Sequence, residues 1–326
     1  MDLHIACFAL KPSAPYDFEK TLEHLGATSP FRSDVLIGPD CLTRAVMVDR
    51  LPVVARVSST GTAAAPELKC DVWAGVPISL ARSAGATRHI GTFLGTEDDV
   101  AGFYATAEGD EAMAPLIRQF YGYHQLRFPT PFEAACWAIL TQHNHWSIAR
   151  KMKETLTREL GLGLVVEDLE YRCFPSPADL LRAGPETVRW LIRNERRTAS
   201  LLAAAAAFAE VDAAFLAEAP QPDVERWLRS IAGIGPWSSN FVLLRGLARM
   251  EVAPLIDQPL MRAACEVYGP ERIRRTEDVA RIAERYGRFQ GYWAHYLRLH
   301  SWLERHDHRP RSAIAAGVSS SRRSEI

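Results

Sequence analysis

The chain has 326 residues, 48% hydrophobic and 24% charged, too long for one small core and neither disordered nor membrane-embedded by composition. No apolar run approaches a membrane span, and the start Met1-Asp2-Leu3-His4 lacks a basic flank and a cleavage site, so export is not expected. The formal net charge of −1 hides a split: residues 1–116 hold 9 Lys/Arg against 15 Asp/Glu, whereas the remainder holds 29 against 24 and seven of the eight tryptophans.

Along the first third the pattern is mixed. Asp17 to Leu25 reads as a short amphipathic helix. The β-branched runs 43–48 and 53–58, joined by Asp49-Arg50-Leu51-Pro52, read as a hairpin. Gly61 to Pro66 is a small-residue loop, and Asp98 to Tyr121 has helical spacing with an acidic start. Residues 1–112 are therefore expected to form an α+β layer around an antiparallel sheet. From Thr130 the period changes to about 3.6, with Pro131 at a helix start and Phe132, Ala135, Cys136, Ile139 and Leu140 as its apolar stripe. Helices are expected at 147–160, 176–183, 185–193, 196–209, 223–231, 238–249, 259–268, 277–286 and 289–304, so 113–309 reads as an all-α core. Residues 310–326, rich in Ser, Arg and Ala, read as a flexible tail.

Six cysteines stand at 7, 41, 70, 136, 173 and 265 with no Cys-x-x-Cys pair. That pattern suits reduced thiols in a cytoplasmic protein and excludes a cysteine-built zinc or iron–sulfur site. His124, His143 and His145 lack the carboxylate or cysteine that would complete a metal set. The basic, tryptophan-rich two-thirds is compatible with nucleic-acid binding, though a solvated surface gives the same counts.

The most informative stretch is Leu228-Arg229-Ser230-Ile231-Ala232-Gly233-Ile234-Gly235-Pro236-Trp237-Ser238. A helix ends near Ile231, Gly-Ile-Gly forms a tight turn with unusual backbone angles, and Pro236 opens the next helix. Backbone N–H groups at such a helix start can hold a phosphate oxygen, and Ile234 would anchor the turn in the core. Gly-x-Gly by itself reads equally as an ordinary interhelical turn. Twenty-two residues after Gly235 comes Asp257, at the start of another helix in Pro254-Leu255-Ile256-Asp257-Gln258-Pro259. Alone, Asp257 reads as an N-cap.

The hairpin, Leu243-Leu244-Arg245-Gly246 and an Asp at this distance together resemble the helix-hairpin-helix (HhH-GPD) DNA glycosylase superfamily, especially its 3-methyladenine DNA glycosylase II, alkylation-repair branch. Phe128-Pro129-Thr130-Pro131-Phe132-Glu133, then Trp137 to Gln142, resemble that branch's entry helix, and Phe174-Pro175-Ser176-Pro177 its Phe-Pro-x-Pro. The strand-rich first third is similar to the TBP-like domain that larger bacterial members place before the helical core. The likeness is strongest from Phe128 to Arg262. One departure is Gln142-His143-Asn144-His145-Trp146, where the family more often has a small or apolar residue after Gln.

The resemblance implies a monofunctional DNA glycosylase in base excision repair, a monomer that flips an alkylated purine, chiefly 3-methyladenine, out of double-stranded DNA without metal or cofactor. Asp257 matches the catalytic Asp, kept anionic by its helix start. The DNA grip would come from Gly233, Ile234, Gly235 and Arg245, with Arg249 nearby, and the wedge from Gln142 and His143. Trp237, Phe241, Trp293 and Tyr296, with Tyr292, would wall the base pocket by cation–π attraction, although Trp237 and Phe241 one turn apart also read as core. Such walls, without strong hydrogen-bonding groups, would select bases by weak glycosidic bonds. Arg193-Asn194-Glu195-Arg196-Arg197 reads as a DNA contact or a solvated face. Bifunctional members carry a Schiff-base Lys two residues after the last hairpin glycine. Here that residue is Trp237, and no lysine follows Lys153. Alternatives are a glycosylase for uracil, hypoxanthine or oxidised guanine, and a non-catalytic hairpin protein that binds damaged DNA.

Overall fold

The computed structural model describes residues 3–306 apart from 29 and 32, so the expected tail, with its arginines at 309, 311, 322 and 323, lies outside the described residues. In chain order the first elements are β1 (His4–Leu10), α1 (Phe18–Thr28), β2 (Val35–Ile37), β3 (Cys41–Val48), β4 (Leu51–Ser59), β5 (Leu68–Ala74), α2 (Leu80–Leu94), α3 (Val100–Thr106) and α4 (Ala114–Gln119). They are followed by α5 (Pro131–Thr141), α6 (Trp146–Leu160), β6 (Gly163–Val166), β7 (Leu169–Arg172), α7 (Pro177–Ile192), α8 (Glu195–Glu210), α9 (Ala213–Glu218) and α10 (Gln221–Ser230). The chain ends with α11 (Pro236–Gly246), α12 (Gln258–Tyr268), α13 (Thr276–Glu284), a 3₁₀ turn at Gly287–Phe289 and α14 (Gln290–His306).

Strands β1 to β5 form one antiparallel sheet in the order β1-β5-β4-β3-β2. The expected hairpin is β3–β4, closed by Asp49 and Arg50 at φ 49° and 63°, two left-handed residues whose twist suits a two-residue turn. Side chains alternate between its faces. Leu42, Val46, Val53, Ala55, Val57 and Val72 join the main core. Ala45, Val54 and Trp73 on the other face are covered by Leu164, Val166 and Tyr171 of the β6–β7 hairpin. Arg56 adds a bidentate pair to Glu167 on that hairpin. The sequence reading missed β6 and β7, four residues each. It also missed α2, whose buried face is Ala86, Ile90, Phe93 and Leu94 amid Ala, Gly, Ser and Thr.

The helical part follows the expected order. Thr130 caps α5 by accepting from Glu133 N–H at 3.1 Å. The expected pair at 176–183 and 185–193 is present: α7 is two helical segments separated at Gly184, whose backbone (φ 74°, ψ 169°) is not helical, with Pro185 opening the second.

Besides that small cluster, two larger cores hold the described residues together. The larger runs without interruption from the sheet through α5, α8 and α11. The smaller joins Val100, Phe103, Met113 and Phe120 to α12, α13 and α14. Packing therefore crosses position 112, where the sequence reading placed a boundary, because the short helices before it bury their apolar sides against the last helices of the chain. Helix α11 contributes Leu243 to one core and Leu244 to the other, and the candidate site lies along this seam.

Candidate active site and nucleic-acid interface

Helix α10 ends at Ser230, and the turn to α11 rests on α8. Gly233 has φ +91°, and a Cβ there would stand 2.2 Å from Ser200 Oγ, so both backbone conformation and close approach require glycine. Gly235 departs from expectation. Its φ is −91°, and nothing lies within 4 Å of where its Cβ would be. Any residue can adopt that backbone. The space beside Gly235 opens instead onto a groove of about 720 Å³ lined by the hairpin, Gln142, His143, Arg196, Arg229 and Trp237. Ile234 is buried, as an anchor should be, and the start of α11 has no side-chain cap. Uncapped N–H groups at a helix start facing a groove suit an anion.

The segment expected to supply the wedge divides its work. Gln142 Nε2 donates to the Gly233 carbonyl at 2.7 Å and to Ser238 Oγ at 3.0 Å, while Arg197 donates to the Gln142 carbonyl. Gln142 thus braces the hairpin from behind. His143 is exposed, with left-handed φ +50°, a conformation that costs energy for a residue with a Cβ and is often retained at functional sites. Trp146 beside it is 54% exposed. Exposed Arg196 and Arg229 add positive charge at the groove's edge.

Asp257 occupies the N-cap position of α12, but its side chain makes no cap hydrogen bond. Only 4% exposed, it faces inward: Oδ1 accepts from Trp237 Nε1 at 3.3 Å, and Oδ2 lies 3.0 Å from Arg298 Nε as an ion pair without hydrogen-bond alignment. The N-cap reading therefore fails, and the carboxylate is free of local structural duty. Beside it is a narrow, partly open cavity of about 20 Å³, walled by residues that include Gln125, Trp237, Phe241, Arg245, His295 and Arg298. The cavity has room for about one water. Arg298, its side chain 35% exposed, stands between Asp257 and the outside.

Several expected site residues are placed differently. Trp237 and Phe241 do flank the cavity, their rings stacked on each other with centroids 5.5 Å apart. Trp293 and Tyr296 do not reach it. Both are fully buried, Trp293 donating to Tyr268 and Tyr296 to the Tyr123 carbonyl, because they occupy the opposite face of α14. That helix instead presents Gly291, Ala294, His295 and Arg298 to the cavity. Arg245 is half-buried and turns toward the cavity, not the hairpin groove: it lies 6.0 Å from the Phe241 ring centre, and burial, reinforced by Arg298 and Arg127, lowers its pKa to about 10. Arg249 donates to the Leu216 carbonyl. His295 is held well below its ordinary pKa by burial, with Arg245 and Arg298 adding to the effect, so its ring is neutral near pH 7. Sequence reasoning missed Gln125, His295 and Arg298. The spacing Gly291, His295, Arg298 on one predicted helix was the available signal for the last two.

The histidines do not gather. His124 lies buried between the Gly95 and Pro15 carbonyls, and among the described residues no three His, Cys, Asp or Glu side chains form a metal-binding group. All six cysteines are free, and no described helix is long and apolar enough to cross a membrane. Lys153, the last lysine, is fully buried between Asp34 and Glu133.

No family model matches the chain. It is 24% identical over 223 residues to a DNA-3-methyladenine glycosylase of Bacillus subtilis (strain 168), covering 68% of this chain and 74% of that protein. It is 30% identical over 172 residues to DNA-3-methyladenine glycosylase 2 of Escherichia coli (strain K12), a match spanning 52% of this chain and 56% of the relative. A solved 3-methyladenine DNA-glycosylase from Archaeoglobus fulgidus superposes with a TM-score of 0.77 at 22% identity, over 91% of this chain and 99% of that one. The chain is thus similar in sequence to two DNA-3-methyladenine glycosylases and shares its fold with a third.

Proposed function

We propose that this protein is a monofunctional DNA glycosylase that removes alkylated purines of the 3-methyladenine type from duplex DNA. One observation carries the reading: a buried carboxylate, released from helix capping, stands behind a hairpin that offers N–H groups to a groove. Breaking the C1′–N bond leaves its electron pair on the base and positive charge on the sugar. The Asp257 carboxylate would stabilise that charge, and water adds to C1′ with loss of a proton. A preorganised anion in a water-poor cavity does this without reorganising at the moment of reaction.

The hairpin, with Arg196 and Arg229, would hold the phosphodiester chain and fix register without reading sequence. His143, exposed at the edge of the same groove, would fill the gap left by the everted nucleotide. Opening the 20 Å³ cavity requires Arg298 to leave Asp257, its charge passing to the incoming strand. Trp237 fills the position where a Schiff base would need an amine, and the buried ion pairs of Lys153 hold the last lysine in place, which supports base release without strand cleavage. The five-stranded, TBP-like sheet, covered on both faces, would serve as scaffold.

Incubating the protein with methylated duplex DNA tests this. Free 3-methyladenine should appear, with strand breaks only after heat or alkali. Asp257→Asn should abolish release while leaving duplex affinity largely intact; substantial residual release would remove Asp257 from the mechanism.

A further inference from the structure

Several buried side-chain atoms among the described residues lack a hydrogen-bond partner, and four of them belong to residues lining the cavity beside Asp257: Gln125 Oε1, Arg245 Nε, Asp257 Oδ2 and His295 Nε2. Each buried unpaired polar atom costs stability, so such a cluster marks a place waiting for polar partners. Asp257 is accounted for by the sugar. The other three line the same cavity, which on the glycosylase reading would open to take the base, and stacking alone gives them nothing to do.

Gln125 is the best placed of them. It is 3% exposed, and its position is fixed through the backbone: its N–H donates to Tyr292 Oη at 3.3 Å, Tyr292 donates to Asp98, and Asp98 pairs with buried Arg127 two residues on. A side chain on so tightly held a backbone can be selective, because it cannot follow a misfitting base. Its enclosed amide oxygen lacks a donor. The exocyclic amino group of an N-alkylated adenine is a donor of the right kind, and ring nitrogens beside it accept from the Arg245 N–H or the neutral His295 ring. A guanine-type base brings its O6 acceptor to the same place.

We propose that Gln125 is a specificity-determining residue, reading the amino edge of an everted alkyladenine, so that this site selects its base by edge complementarity as well as by weakness of the glycosidic bond. This rests on the glycosylase reading above. Rejection arises because the wrong edge leaves buried polar groups unpaired.

The test is single-turnover release of 3-methyladenine and 7-methylguanine from the same methylated duplex DNA by the full-length protein and its variants. In Gln125→Leu the rate ratio of 3-methyladenine to 7-methylguanine should fall by roughly tenfold or more. Gln125→Glu, which keeps an acceptor, should retain much of the ratio. Binding to a duplex carrying a base-free tetrahydrofuran site reports on folding, and should be similar in all three proteins. An unchanged ratio in Gln125→Leu overturns the proposal. So does a ratio lost equally in Gln125→Glu, which would make the side chain structural, and that comparison decides the matter even if the leucine variant binds the base-free duplex poorly. No release by the wild-type protein would instead refute the glycosylase reading itself.

Discussion

The two hairpin glycines should fail in different ways when replaced by alanine. At Gly233 the new Cβ meets Ser200 Oγ at 2.2 Å on a backbone at φ +91°. A left-handed residue with a Cβ costs about 1–2 kcal/mol, and pushing α8 aside adds about 1–3 kcal/mol of overpacking. Gly233→Ala should therefore lose about 2–5 kcal/mol of stability, a substantial part of what a domain possesses. At Gly235 the methyl group has nothing within 4 Å and an ordinary φ of −91°. The folded state loses nothing, and reduced freedom of the unfolded chain adds about 0.4–1 kcal/mol of stability. That methyl nevertheless enters the groove where a phosphate would approach the start of α11. Gly235→Ala should fold normally yet bind every duplex sequence more weakly, with a shallower dependence of affinity on salt because fewer counterions are released. Urea unfolding paired with duplex titrations at several salt concentrations reads both effects. Normal DNA binding by Gly235→Ala, or equal destabilisation of the two variants, would refute this account of the hairpin.

Replacing Lys153 by Met leaves Asp34 and Glu133 buried without their cation, and should cost about 3–5 kcal/mol in urea unfolding; a loss below about 1 kcal/mol would show the cluster to be dispensable. Arg298→Ala should unseal Asp257, so that carbodiimide labelling followed by peptide mass analysis modifies Asp257 in the variant but hardly in the wild type. Burial lowers the pKa of His24, His89 and His295. Since the unfolded chain then binds more protons below pH ~6.5, stability should fall as pH falls through that region, by up to about 1.4 kcal/mol per unit for each ring. Unfolding midpoints at pH 7.5 and 5.5 check the sign; equal midpoints would mean these rings stay paired when charged.

Local chemistry was legible in the sequence wherever neighbouring residues decide structure. Thr130-Pro131, the Asp49-Arg50 turn and the 3.6-residue stripes fix their own elements, because caps, turns and periodic burial act within a few positions. Gly-Ile-Gly followed at a set distance by Asp257 drew attention to the candidate site. Where a side chain points was not legible, since that depends on which helix lies opposite. Asp257 stands at an N-cap position, yet its side chain turns inward; Arg245 looked like a surface cation and is half-buried against the cavity; Trp293 and Tyr296 looked like pocket walls, yet α14 gives that place to His295 and Arg298. The covering of the sheet's second face by β6 and β7, and the gathering of Gln125, Arg245 and His295 beside one carboxylate, join segments that lie far apart along the chain. Only folded packing, which rewards contact irrespective of distance along the chain, could bring them together.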